Sequence, residues 1–189
     1  MKAHTLLMLC GSGLLCGITG AQAVTSNGTI NATLTLTNGC LINGSPAQNG
    51  INFGTLDFGE HPATFSTLTT ELSGAAGGNS FGIQCTTGST YAVQVTGSTN
   101  GAPGTTVGTP GTPARYLVNT SDATQGVAYS IYSDSAFSNV ITNNAAIPKV
   151  STTAGVDNYS VYGRIQGGGD SVTVKPGTYT DVINVSVTY

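Results

Sequence analysis

The chain has 189 residues, of which only 7% are charged, against about a quarter in an average domain. Thr (30) and Gly (27) are the commonest residues, Leu reaches 12, and Trp is absent. That composition argues against helix bundles and α/β enzymes, and a net charge of −3 with five Lys+Arg excludes the basic stripe that nucleic acid needs.

Residues 1–23 read as a secretory signal peptide. Lys2 supplies the positive end, Thr5 to Ile18 an apolar run, and Ala21-Gln22-Ala23 an A-x-A cleavage site. Cleavage between Ala23 and Val24 leaves four basic and eight acidic residues, a net charge of −4. It also leaves two cysteines, Cys40 and Cys85. Two cysteines in an exported chain predict one disulfide.

From Val24 onward the pattern is period two. Ile30, Ala32, Leu34 and Leu36 alternate with Thr and Asn. Further strands are predicted at 51–58, 65–72, 80–86, 91–96, 116–119, 127–133 and 159–165. A last strand runs from Thr178 to Tyr189, with Tyr179, Ile183, Val185, Val187 and Tyr189 on one face. Asn-Gly follows at 27, 38, 43, 49 and 100, a pair suited to turns of positive φ. Residues 97–113 read as a long Gly/Thr/Pro-rich loop. Many short strands with turn signals between them predict a single-domain β-sandwich.

Chemistry-bearing groups are sparse. After residue 23 there is one histidine, His61, without ligand spacing around it. Gly78-Asn79-Ser80-Phe81-Gly82 matches a nucleophile elbow in letters only: His61 precedes Ser80, and no helix follows. Asp57 and Glu60 beside Phe58-Gly59 read as solvated loop acids. No enzyme, cofactor or metal site is expected.

The two terminal runs carry the functional reading. The Ile30–Leu36 segment can pair inside its own domain. It can also leave the domain and complete a neighbour's sheet by strand addition. The final run would present a long apolar edge, which invites a covering partner. Residue patterns alone leave the two readings level.

The chain resembles the spore coat protein U family, which includes subunits of archaic (Csu-type) chaperone–usher pili. The resemblance rests on the alternating run into Cys40, then Leu56-Asp57-Phe58-Gly59, Ile83-Gln84-Cys85 with Tyr91, and Arg115-Tyr116-Leu117. It continues through Val127 to Asp134, Val161-Tyr162-Gly163-Arg164-Ile165 and the ending from Gly177 to Tyr189. It implies an all-β, incomplete immunoglobulin-like sandwich over 38–189, completed by a donated N-terminal strand, 24–37. Ile30, Ala32, Leu34 and Leu36 would be the donor residues. Ile183, Val185, Val187 and Tyr189 would border the acceptor groove. The implied partners are identical or related subunits, a periplasmic chaperone and an outer-membrane usher. The implied destination is a cell-surface fimbrium supporting adhesion and biofilm formation. A surface coat protein and a self-contained carbohydrate-binding sandwich are the other readings. The second lacks a Trp to stack on sugar, and Tyr116, Tyr129, Tyr132, Tyr159 and Tyr162 are expected in the core.

Overall fold

A computed structural model describes residues 24–46, 48–168 and 173–189. The signal segment, with Ala23, lies outside them. The chain divides into two units, ending at Thr35 and beginning at Leu36. In the first, residues 24–35 form no strand and are exposed. Ile30 and Leu34 are 97% and 81% exposed.

The second unit is all-β among the described residues. In chain order its strands are β1 (Cys40–Ile42), β2 (Gly54–Thr55), β3 (Leu68–Glu71), β4 (Ser73–Gly74) and β5 (Phe81–Cys85). Next come β6 (Ala92–Ser98), β7 (Thr105–Val107), β8 (Arg115–Asn119), β9 (Asp122–Tyr132) and β10 (Ser151–Thr153). The last are β11 (Val156–Tyr159), β12 (Tyr162–Ile165), β13 (Tyr179–Thr180) and β14 (Ile183–Thr188). One sheet runs β13-β8-β9-β12-β3, with β7 added parallel to β9. A second runs β1-β5-β11-β10, β14 pairs with β6, and β2 pairs with β4.

Alternation explains the core. Phe81 and Ile83 of β5, Val93 and Val95 of β6, Tyr129 and Ile131 of β9, and Ile165 of β12 belong to one buried apolar cluster. Every second residue of β5 and β6 therefore points inward, while β9 is buried on both faces from Gln125 to Tyr132. Phe81 stacks on Tyr159 at 5.4 Å between centroids, and Phe53 meets the Phe81 ring edge-on at 5.0 Å. Gly163 is required on β12, because a Cβ there would lie 2.8 Å from the Phe58 ring. Phe58 consequently lies flush over the strand.

Cys40 and Cys85 are directly opposite in the β1–β5 register and form the predicted disulfide. Just beyond β1, Asn43 and Gly44 have φ of 51° and 77°. Ile42 and Ser45 exchange both backbone hydrogen bonds across them. Two consecutive positive φ values make the twisted two-residue turn for which Asn-Gly is suited.

Four sequence expectations need correction. The 159–165 run is two strands, because Ser160 and Val161 carry the chain from the sheet of β5 to the sheet of β9. The final run is likewise broken at Asp181–Val182, β13 pairing with β8 and β14 with β6. The 97–113 stretch contains β7, where the buried Val107 seats against β9. In 51–58 only Gly54–Thr55 pairs, since Phe53, Leu56 and Phe58 use their side chains to pack on the core instead. Of the five tyrosines, Tyr129, Tyr132 and Tyr159 are buried, while Tyr116 and Tyr162 are half-buried.

Candidate functional site

The residues with conventional chemistry do not converge. His61 Nε2 lies 2.7 Å from the Phe58 carbonyl oxygen, and the Gly59 amide donates to Asp57 Oδ1. Asp57, Glu60 and His61 are all exposed on that loop. Ser80 precedes a strand, β5, where a nucleophile elbow needs a helix. Among the described residues no group of three His, Cys, Asp or Glu side chains could hold a metal ion.

What the fold does leave open is backbone. β1 is hydrogen-bonded along its length to β5, and β14 to β6, but not to each other. Ile42 of β1 and Ile183 to Thr188 of β14 line one elongated groove of about 780 Å³. Beside it an apolar cavity of about 350 Å³ reaches the core, lined by Phe53, Leu56, Phe81, Tyr129, Ile183 and Val185 among others. Ile183, Val185 and Val187 are half-buried and packed against the core cluster. An unpaired strand edge beside an apolar trough is the arrangement that accepts an added strand.

Tyr189 is placed differently from the rest of the final run. It lies beyond the end of β14 and is 43% exposed. It lines the outer groove but not the inner cavity. Ile183, Val185 and Val187 pack from β14 against the core. The Ser45–Ile42 pairing already uses the end of the β1 edge, so the open stretch of β1 lies toward Cys40.

A polar joint fixes β14, and its burial was not foreseen. Tyr129, 2% exposed, donates its hydroxyl to Asp181 Oδ2 at 2.7 Å. The Asn100 and Val182 amides donate to Asp181 Oδ1. Asn100 Nδ2 donates to the Tyr116 and Thr180 carbonyls, and the Thr99 amide to Val182. Asp181 therefore pins the point where the chain crosses from one sheet to the other. Burial, then the Asp181 bond, raises the Tyr129 pKa well above the usual phenol range. Arg115, cross-strand from Tyr129 and 1% exposed, donates from Nη2 to Asn143 Oδ1 at 2.6 Å. Desolvation lowers its pKa, yet a guanidinium stays charged. Asp181→Ala should cost roughly 2–4 kcal/mol, since bonds to charged acceptors are worth about 1.5–3 each and Tyr129 would lose its partner. Tyr129→Phe should cost less, because Asp181 keeps its two backbone donors. Urea midpoints of the two variants check the order.

These features define an all-β domain with a strand edge, β14, paired on one side only. The chain belongs to the Spore Coat Protein U domain family, which matches residues 26–186. A solved structure with similarity to it is the CsuC–CsuE chaperone–tip adhesion subunit pre-assembly complex from archaic chaperone–usher Csu pili of Acinetobacter baumannii. The two are 19% identical with a TM-score of 0.45, over 82% of this chain and 40% of that one. The present chain thus spans less than half of that protein's length. No curated protein sequence matches it.

Proposed function

We propose that this protein is a structural subunit of an archaic chaperone–usher pilus, polymerising head-to-tail by strand donation. Residues 24–37 are the donor arm, and the slot between β1 and β14 is the acceptor. One observation carries this reading: β14, paired on one side only with β6, borders an open groove that shares Ile51, Phe53, Ile183 and Val185 with an apolar cavity reaching the core. Ile30, Leu34 and Leu36 are the donor anchors, at 97%, 81% and 83% exposure, with Ala32 between them. Burying three such side chains contributes roughly 5–9 kcal/mol, and ladder hydrogen bonds along β14 add to it. Because donor and acceptor surfaces differ, the contact need not close, and a filament results.

On this reading a periplasmic chaperone covers the slot before assembly. An outer-membrane usher exchanges it for the next subunit's arm. Membership of the family and the partner named in the similar complex support this. The product is a surface fimbrium that serves adhesion and biofilm formation, and no bond is chemically transformed.

The test compares the exported protein with and without residues 24–37, each co-expressed with a matching chaperone. After chaperone removal, unboiled samples are run on a denaturing gel. A multimer ladder from the intact chain, lost on boiling and absent from the truncation, is expected. A stable intact monomer that needs no chaperone would overturn the reading.

A further inference from the structure

Asn-Gly steps are chemically labile as well as turn-forming. The backbone nitrogen of Gly attacks the Asn side-chain carbonyl, a C–N bond closes a succinimide ring, and ammonia leaves. Water then opens the ring to Asp or isoaspartate, adding one negative charge. The step needs a side chain free to swing and a Gly nitrogen free to attack. The five Asn-Gly steps of this chain differ in both.

Asn43 is held at both ends: Nδ2 donates to the Asn52 carbonyl, and Oδ1 accepts from the Gly82 amide. Asn100 Nδ2 bonds two carbonyls, of Tyr116 and Thr180. At Asn38 the side chain is exposed, but the following Gly39 amide donates to Thr86 Oγ1 at 3.1 Å. Asn27 and Asn49 are exposed, with no hydrogen bond from the side chain or from the next glycine among the described residues. A Cβ on Gly28 or Gly50 would meet nothing within 4 Å. Opening two hydrogen bonds before attack slows Asn43 and Asn100 by about tenfold or more.

Position gives this chemistry a consequence. Asn49 lines the groove beside β14, with Ile51, Val185 and Val187. We propose that Asn49 is a deamidation site in the acceptor slot, open in the free subunit and shielded once a strand occupies the groove. The shielding rests on the strand-exchange reading above. A carboxylate at Asn49 would stand in the outer groove, where an entering strand must desolvate it. Aged, unassembled subunits would thereby lose competence to accept a strand. Asn27 lies outside the Ile30–Leu36 anchors and keeps reacting after assembly.

The experiment ages the full exported chain in mildly alkaline buffer and separates monomer from multimer by gel filtration. Conversion at each asparagine is read by mass spectrometry of chymotryptic peptides. In monomer, Asn27 and Asn49 should convert about tenfold or more faster than Asn43 and Asn100, with Asn38 between. In multimer, Asn49 alone of the fast pair should slow. Asn49→Asp should reduce multimer yield more than Asn49→Gln does, since only the first adds a charge. Monomer conversion at Asn49 as slow as at Asn43, or equal Asn49 rates in monomer and multimer, would overturn the proposal. If no multimer forms, the strand-exchange reading fails and takes the shielding with it, while the order of rates in monomer alone decides the deamidation site.

Discussion

Two disabled chains, each unable to polymerise alone, should form a dimer when mixed and nothing longer. The first carries Leu34→Asp and Leu36→Asp, which removes two of the three large arm anchors and leaves the acceptor slot intact. Losing their burial forfeits roughly 3–6 kcal/mol, and a carboxylate entering an apolar trough adds a desolvation penalty of several more. The second carries Ile51→Asp. Ile51 lines both the inner cavity and the outer groove but is not a member of the buried core cluster. A charge there obstructs the slot at less cost to the fold than one on β14. The second chain can then donate but not accept, and the first can accept but not donate. Head-to-tail donation permits one contact between them. An arm that folds back on its own domain permits none. A symmetric exchange of arms would instead close the unaltered protein at a dimer. Size-exclusion chromatography with light scattering separates these cases, and thermal melts of each variant alone establish that both fold. Monomers in the mixture would sink the strand-exchange reading.

The sequence made the class and the sidedness of the strands visible because alternation survives wherever one face is buried. β5, β6 and β9 hold Phe81 and Ile83, Val93 and Val95, and Tyr129 and Ile131 in the core at every second position. It did not reveal where strands change partners. From Tyr159 to Ile165 the chain leaves one sheet and joins another, yet Tyr159, Val161 and Ile165 are all buried. The side-chain rhythm continues while the hydrogen-bond partners change. The same holds at Asp181, between the half-buried Tyr179 and Ile183. β7 was hidden for another reason. Its pairing with β9 is parallel and skips over β8, and only Val107 of its three residues is buried. The alternation of Ile183, Val185 and Val187 was legible as well, and that strand pairs on one side only, with β6. The polar joint at Asp181 was not, because it depends on cross-strand register, which alone sets Arg115 opposite Tyr129.

Replacing Cys40 and Cys85 together by Ala should lower stability by about 4 kcal/mol, the chain-entropy value for a closed loop of this size. The two residues are 45 positions apart. A loss of that size is a large part of the roughly 5–15 kcal/mol that holds a typical domain folded. Part of the effect should also be local. β1 is three residues long and pairs in a ladder only with β5. Cys40 is 7% exposed and belongs to the core cluster. Without the cross-link β1 is anchored by few hydrogen bonds, and Ile42 of β1 lines the groove that the strand-exchange proposal fills. Strand acceptance should therefore fail in conditions where the rest of the domain remains folded. Urea unfolding monitored by tyrosine fluorescence gives the first quantity, and the multimer ladder of the same variant gives the second. A stability change below about 1 kcal/mol would contradict the entropic argument. A normal ladder from a measurably destabilised variant would show that β1 does not form the wall against which the incoming strand is held.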